Sequence, residues 1–391
     1  MTDSATSAAG APYWRLSSFY FFYFALLGAW LPYWPLYLRE LGFTPEKIGY
    51  IAGAMMATKI IAPNIWGYLA DRSGRRMRII RGGSLLALLC FLAIVPRQDF
   101  AWMMLVVIGY SFFWNAVLAQ FEVVTLSHLA GRYQRYSLVR VWGSIGFITT
   151  VSLLGSGFDR YPLHWLPYIV IFLLAGIWVS SLLVDEHPDA KVSHHERRPL
   201  REVLAKPSVI AFFAVCFLMQ ASHGPYYTFF SVYLENNGFN HGTTGLLWSL
   251  GVIAEVVVFL FMHRLLHRFS LYQIMVASLL LSILRWWLIA FLVKNTVILV
   301  LAQTLHAASF GSFHAFAVEM VRKLFAGGLQ GQGMAFYSGL SFGAGGAAGA
   351  VLSGWLWDYN PTLTFVMAGF ACVLALAIAV VIREPLLHER Y

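Results

Sequence analysis

The sequence predicts an all-α integral membrane protein with twelve transmembrane helices arranged as two six-helix halves. Three observations lead there. Of 391 residues, 59% are hydrophobic and only 12% charged, with a mean hydropathy of +0.67; a soluble globular domain carries roughly 25% charged residues. Apolar runs of about 20 residues, enough to cross a bilayer, recur twelve times. One charged stretch, 185–206, then divides those runs into six and six.

The runs lie at 14–38, 46–70, 76–95, 101–128, 135–158, 163–184, 207–235, 243–264, 271–293, 296–321, 330–356 and 361–382. Residues 1–13 are polar, carry only Asp3 as a charge, and lack the basic start and small-residue cleavage site of a secretion signal. The first run is therefore expected to be retained as a helix. Stretch 185–206 carries Asp185, Glu186, Asp189, His194, His195, Glu196, Arg197, Arg198, Arg201, Glu202 and Lys206, so it cannot enter hydrocarbon. The expected organisation is a first half at 1–184, a cytoplasmic linker at 185–206 and a second half at 207–391. The eleventh run holds Gly339, Gly343, Gly345, Gly346, Gly349 and Gly354 and reads as a close-packing face, not a ligand loop.

A net charge of +9 would suggest a nucleic-acid partner in a soluble protein. Here it follows topology instead: with both termini assigned to the cytoplasm, 19 of the 27 Lys and Arg fall on that side. The opposite side receives Arg39, Lys47, Arg97, Arg160 and Lys294. The three cysteines, Cys90, Cys216 and Cys372, sit within apolar runs as small hydrophobes. No disulfide framework, metal site or cofactor is expected from them.

Ionisable residues inside spans cost about 2.5–3.5 kcal/mol each on insertion scales and normally face a cavity or a partner. Lys59, Glu122, Arg140, Glu255 and Arg285 are the clear cases, joined by His223, His306 and His314. Glu122 and Arg140 are equidistant from Gly131 in the loop between the fourth and fifth runs, which sets both roughly 13 Å from that loop on straight helices. A Glu–Arg pair follows, either fixing the two helices in register or opening to take substrate. Lys59, Glu255, Arg285 and His306 all fall near mid-membrane. Glu255 is the one mid-membrane carboxylate of the second half and a candidate proton carrier; the alternative is a permanent pair with Arg285 or His306.

The faces around these charges are aromatic. Gln220, His223, Tyr226, Tyr227 and Phe230 share one face at helical spacing, as do Gln303, His306, Phe310 and Phe313. Trp30, Tyr33 and Trp34 lie late in the first run, and Trp248 lies two turns before Glu255. Any one of these aromatics suits packing or the headgroup belt. Together with mid-membrane cations they suit an aromatic or carboxylate-bearing solute, or a sugar ring stacked on Trp.

Between the second and third runs stands Gly67-Tyr68-Leu69-Ala70-Asp71-Arg72-Ser73-Gly74-Arg75-Arg76-Met77-Arg78. It reads as a tight loop in which Gly67 permits close helix approach, Asp71 accepts backbone N–H groups or pairs with an Arg, and Gly74 makes the turn. The order G-x-L-A-D-R-x-G-R-R resembles the loop after the second helix of major facilitator superfamily transporters. That resemblance implies a conformational gating role for Gly67, Asp71, Arg72, Gly74 and Arg75.

Three further stretches, Val139–Ser144, Gln220–Tyr227 and Trp248–Val256, resemble the phenylpropionate permease family within that superfamily. The resemblance implies a proton-coupled importer in a bacterial inner membrane; a monomer is expected, with the proton as coupling ion and no cofactor. The more distant lactose permease is similar in layout: an acid in helix 4 paired with Arg in helix 5, then Glu, Arg and His in helices 8, 9 and 10. By that similarity Glu122, Arg140, Glu255, Arg285 and His306 occupy functional positions. One departure matters. The permease has a carboxylate three residues after its helix 10 His, where this chain has Ser309, so the proton role passes by hypothesis to Glu255, with His306 beside it. Lys59 has no counterpart in the sugar pattern and favours an anionic substrate. The expected substrate site thus comprises Lys59, Glu122, Arg140, His223, Tyr226, Tyr227, Trp248, Arg285 and His306. The competing reading is an oligosaccharide or nucleoside symporter. An enzyme is not expected, because no nucleophile–base pair or metal cluster is present; Glu122 and His128 are six apart, off one helical face.

Overall fold

In a bilayer each backbone N–H and C=O must find its partner within the protein, and a helix does so locally. The computed structural model describes residues 12–129, 133–186, 200–326 and 328–381, and every long element among them is helical. In order these are α1 (Tyr13–Glu40), α2 (Pro45–Ser73), α3 (Arg76–Leu92), α4 (Phe100–Leu129), α5 (Tyr133–Phe158) and α6 (Leu166–Leu182). Then come α7 (Pro207–Asn236), α8 (His241–Arg268), α9 (Leu271–Leu292), α10 (Thr296–Leu324), α11 (330–357) and α12 (Pro361–Val381). Ten of these are long and apolar enough to cross a membrane. The other two are α3, which begins on Arg76, Arg78 and Arg81, and the small-residue α11. Helix starts are capped where chain meets water: Thr44 accepts from Lys47 N–H, Asn240 from Thr243 N–H, and Ser270 and Gln273 form a reciprocal capping box.

Three helices expected to be continuous are interrupted. Helix α7 breaks at His223, between segments Pro207–Ser222 and Gly224–Asn236, because Pro225 has no N–H to return to the preceding turn. Helices α10 and α11 carry wide π turns at Ala307–Ser312 and Ser338–Gly345, a distortion that concentrates at functional sites. The expected loop after the second helix is also mostly helix. Residues Gly67 to Ser73 complete α2, and only Gly74 (φ 62°) and Arg75 turn the chain. Gly67 sits at no close approach, since a Cβ there would meet only Gln120 Nε2 at an ordinary 3.6 Å. Asp71 pairs with Arg76, which also donates to Gln120, and Arg72 donates to the Tyr68 hydroxyl. The loop at Gly131 and most of the linker, 187–199, lie outside the described residues.

Within the first half α1 packs along α5 and α6, and α4 holds α2 and α3; within the second, α12 holds α9 and the first segment of α7. The halves meet where α2 crosses α11, α5 crosses α8, and α1 meets the second segment of α7. One face is sealed by polar contacts across that seam. Asp159 accepts the backbone N–H groups of His241 and Gly242 at 2.9 and 3.1 Å, at the very start of α8. Arg39 pairs with Glu235 and donates to Asn236, Ser152 bonds Ser249 at 2.8 Å, and Trp355 donates to Tyr50. Helices α2 and α11 touch through glycine: a Cβ on Gly49 would lie 2.8 Å from the Ala350 carbonyl oxygen.

Candidate functional site

The second half gathers its functional candidates around Arg285, which α9 delivers at 0% exposure. Its Nε donates to the Ala302 carbonyl at 3.1 Å and its Nη1 to Ser309 Oγ at 2.9 Å. The guanidinium lies over the rings of Tyr226 (4.3 Å) and Trp286 (4.4 Å), a cation–π cradle. Among the described residues no carboxylate pairs with it, and Nη2 has no hydrogen-bond partner. The Tyr226 hydroxyl donates to Gln303 Oε1 at 2.9 Å, while Gln303 Nε2, His306 Nδ1 and His223 Nε2 are buried without partners. A buried cation ringed by unmatched polar atoms is costly unless something else pairs with them.

Glu255 points toward His306, with Oε2 to Nε2 at 3.7 Å, and lies against the π turn at Gly311. Of the two fixed partners considered from sequence, His306 is the one in range. Among the described residues Glu255 forms no ion pair with Lys59 or Arg285. Tyr226 stacks near Trp248 at 4.4 Å and His306 at 5.6 Å, and Tyr227 stacks on His223 at 5.7 Å. The structure therefore brings together His223, Tyr226, Tyr227, Trp248, Glu255, Arg285 and His306.

The first-half candidates form a separate group. Glu122 and Arg140 stand 3.9 Å apart at the matching level, with side chains 38% and 30% exposed although mid-span. Tyr136 donates to Glu122, and the Arg140 guanidinium lies 3.9 Å from the Phe24 ring centre. Lys59 is half-buried and makes no hydrogen bond or ion pair among the described residues. Tyr33 is no ligand face: its hydroxyl donates to the Val151 carbonyl and its ring packs on Phe158.

Two features escaped the sequence reading. Thr58, Ser111 and Asn115 form a buried hydrogen-bond network joining α2 to α4 beside Lys59; the signal was an Asn within an apolar run. Trp34, Tyr110 and Trp114 keep buried polar atoms without partners in an aromatic cluster with Trp30 and Tyr23. Tyr110 and Trp114 stand one helical turn apart, the spacing that reveals a shared face.

Known proteins resemble the chain over nearly its whole length. The model of the MFS_1 like family matches residues 13–367. A probable 3-phenylpropionic acid transporter of Escherichia coli (strain K12) is 28% identical over 358 residues, covering 87% of this chain and 90% of its own. Among solved structures, a mutant of the nucleoside transporter NupG superposes with a TM-score of 0.84 at 20% identity, over 94% of this chain and 98% of its own. A bacterial homologue of the human lysosomal transporter Spinster, inward-facing and unoccupied, gives a TM-score of 0.76 at 12% identity over 98% and 99%. At those identities the two structures bear on the fold alone.

Proposed function

The chain belongs to the MFS_1 like family, a transporter of the phenylpropionate permease type and no enzyme, and we propose that it imports a small aromatic carboxylate together with a proton. The observation that carries this reading is Arg285, a fully buried guanidinium whose Nη2 has no hydrogen-bond partner and which pairs with no carboxylate among the described residues. A substrate carboxylate supplies the missing charge and accepts charge-assisted hydrogen bonds. Gln303 and the imidazoles of His223 and His306 offer further polar contacts. Tyr226, Tyr227 and Trp248 line the same space with rings.

Glu255 is the proposed proton carrier. Ionised, it faces His306 at 3.7 Å; protonated, it loses its charge and lets the loaded halves rock. Lys59 and Arg140 are the first-half cations that attract the anion, with Glu122 giving up its hold on Arg140. Gly74 and Arg75 of the turn, with Gly67, Asp71 and Arg72 in the last turns of α2, act on the face opposite the seal. The proposed setting is a bacterial inner membrane, with a monomer whose termini are both cytoplasmic. The sealed face then looks outward.

A second reading, a nucleoside or oligosaccharide symporter, is favoured by the unmatched Trp34, Tyr110 and Trp114 atoms, which suit a ring bearing hydroxyls. Binding to the purified carrier in lipid nanodiscs separates the two. The acid reading expects 3-phenylpropionate to bind and its neutral amide to bind more weakly by roughly tenfold or more, a gap that Arg285→Gln abolishes. Equal binding of acid and amide, or displacement by a nucleoside or maltose alone, contradicts it.

A further inference from the structure

Helices α10 and α11 each leave the regular winding at a wide turn, and each turn brings a phenylalanine to the same place. Phe310 comes from Ala307–Ser312 and Phe342 from Ser338–Gly345, with ring centres 6.1 Å apart. From the buried cluster His306 stacks on Phe310 at 5.5 Å, and His223 lies near it at 6.3 Å. From one turn further along α10 His314 stacks on the same ring at 6.0 Å, its plane almost parallel. His314 is half-buried, and its Nδ1 is hydrogen-bonded to the Tyr337 hydroxyl at 3.0 Å. Helix α10, like α8, starts at the sealed face, so His314 stands roughly 12 Å nearer the opposite face than His306. An ionisable side chain within a span is costly to insert and marks ion and proton pathways. Next to it a small cleft, lined by the polar groups of Gln220, Ser309, Tyr337 and Ser341 and by the Cys216 thiol, has room for about one water molecule.

Resting on the proton-carrier reading of Glu255, we propose that His314 is the station through which that proton leaves toward the face opposite the seal, with Phe310 as the apolar barrier it must pass. Glu255 faces His306 at 3.7 Å, so its carboxyl proton passes first to His306 Nε2. A phenyl ring can neither take up nor hand on a proton, and the route stops while Phe310 lies between the two imidazoles. A wide turn holds one residue more than regular α-helical winding, so a change of winding rotates the side chains it carries, Phe310 among them. With the ring turned aside, water enters a gap bordered by Gln220, Ser309 and the imidazoles, polar groups enough to hold it. The proton then moves through that water from His306 to the His314 imidazole and from there to water beyond. Tyr337 holds the His314 ring in place across the gap. The two wide turns thereby set the moment at which Glu255 is emptied.

The test separates proton release from solute movement. Radiolabelled 3-phenylpropionate, uridine and maltose are offered to the carrier in proteoliposomes, and the solute that wild type takes up is followed in two modes. Net uptake under a proton gradient requires Glu255 to lose its proton in every cycle, whereas exchange of labelled for unlabelled solute does not. His314→Phe keeps a ring in the stack but carries no proton; net uptake is expected to fall roughly tenfold or more while exchange stays near wild type. Phe310→Ala removes the barrier and admits water, so adding it to His314→Phe is expected to restore most of the net uptake relative to exchange. Net uptake at the wild-type rate in His314→Phe overturns the route. So does a fall that strikes exchange equally, or one that Phe310→Ala does not relieve, since either marks His314 as a packing residue. A wild type that moves no protons with any of the three solutes refutes the Glu255 reading and the route with it, whereas the other outcomes leave that reading standing.

Discussion

Asp159 is one of the contacts through which one half grips the other, and Asp159→Ala tests how much of the seal depends on it. Its carboxylate accepts two backbone N–H groups at the first turn of α8, where N–H groups have no intrahelical partner and the helix dipole favours negative charge. The side chain is 27% exposed, so solvent weakens the interaction without removing it. Two charge-assisted bonds at such a site sum to a net stabilisation of about 2 kcal/mol. Losing them lowers the ratio of sealed to unsealed carrier by roughly 30-fold. Asp159→Asn keeps an acceptor but not the charge, and about half that effect is expected. The Arg39–Glu235 pair, about a third exposed on both sides, contributes less than about 1 kcal/mol and does not compensate. The assay is a pulsed electron–electron distance measurement between spin labels at Arg160→Cys and Lys294→Cys, with Cys90, Cys216 and Cys372 changed to Ser. Asp159→Ala is expected to add a longer-distance population across the sealed face. A distribution identical to that of the parent refutes the reasoning.

Glu255→Gln, which mimics the protonated side chain, is expected to retain exchange of substrate across the membrane while losing proton-driven accumulation and its pH dependence; a Gln variant that keeps both removes Glu255 from the proton role. Gly49→Val and Gly345→Val separate the seam from the fold. A Cβ at 49 would lie 2.8 Å from the Ala350 carbonyl oxygen in the opposite half, whereas one at 345 would lie 2.6 Å from the Phe217 carbonyl oxygen within its own half. Gly345→Val is therefore expected to cost about 1–3 kcal/mol of stability by overpacking, read as a lower melting temperature. Gly49→Val is expected to leave the melting temperature close to wild type and to open the sealed face in the distance measurement. The opposite assignment of the two effects contradicts the seam described here.

The spanning helices were legible because the bilayer imposes one long apolar run per crossing, and the twelve runs match the helices to within a few residues. The Glu122–Arg140 pair was legible for a similar reason, since the rise of a helix converts sequence separation from a loop into depth. What the helical period could not report was interruption. The break at His223 follows from Pro225, a local signal that the apolar count passes over, whereas the wide turns at Ala307–Ser312 and Ser338–Gly345 leave the apolar pattern unchanged. The run from Gly67 to Ser73 was misread because its polarity resembled a loop, while its backbone simply continues α2 beyond the apolar run. Partner choice also lay beyond the sequence. Depth placed Glu255, Arg285, His306 and Lys59 at one level, but only azimuth decides that Glu255 meets His306 and that Arg285 meets no carboxylate.

Uptake of radiolabelled 3-phenylpropionate into proteoliposomes decides whether the carrier imports an aryl acid with a proton. With an inward proton gradient the account expects accumulation above equilibrium that collapses on adding a protonophore and is absent in Arg285→Gln. No uptake of the acid, with gradient-driven accumulation of a nucleoside or a disaccharide instead, would contradict it while leaving the twelve-helix transporter intact.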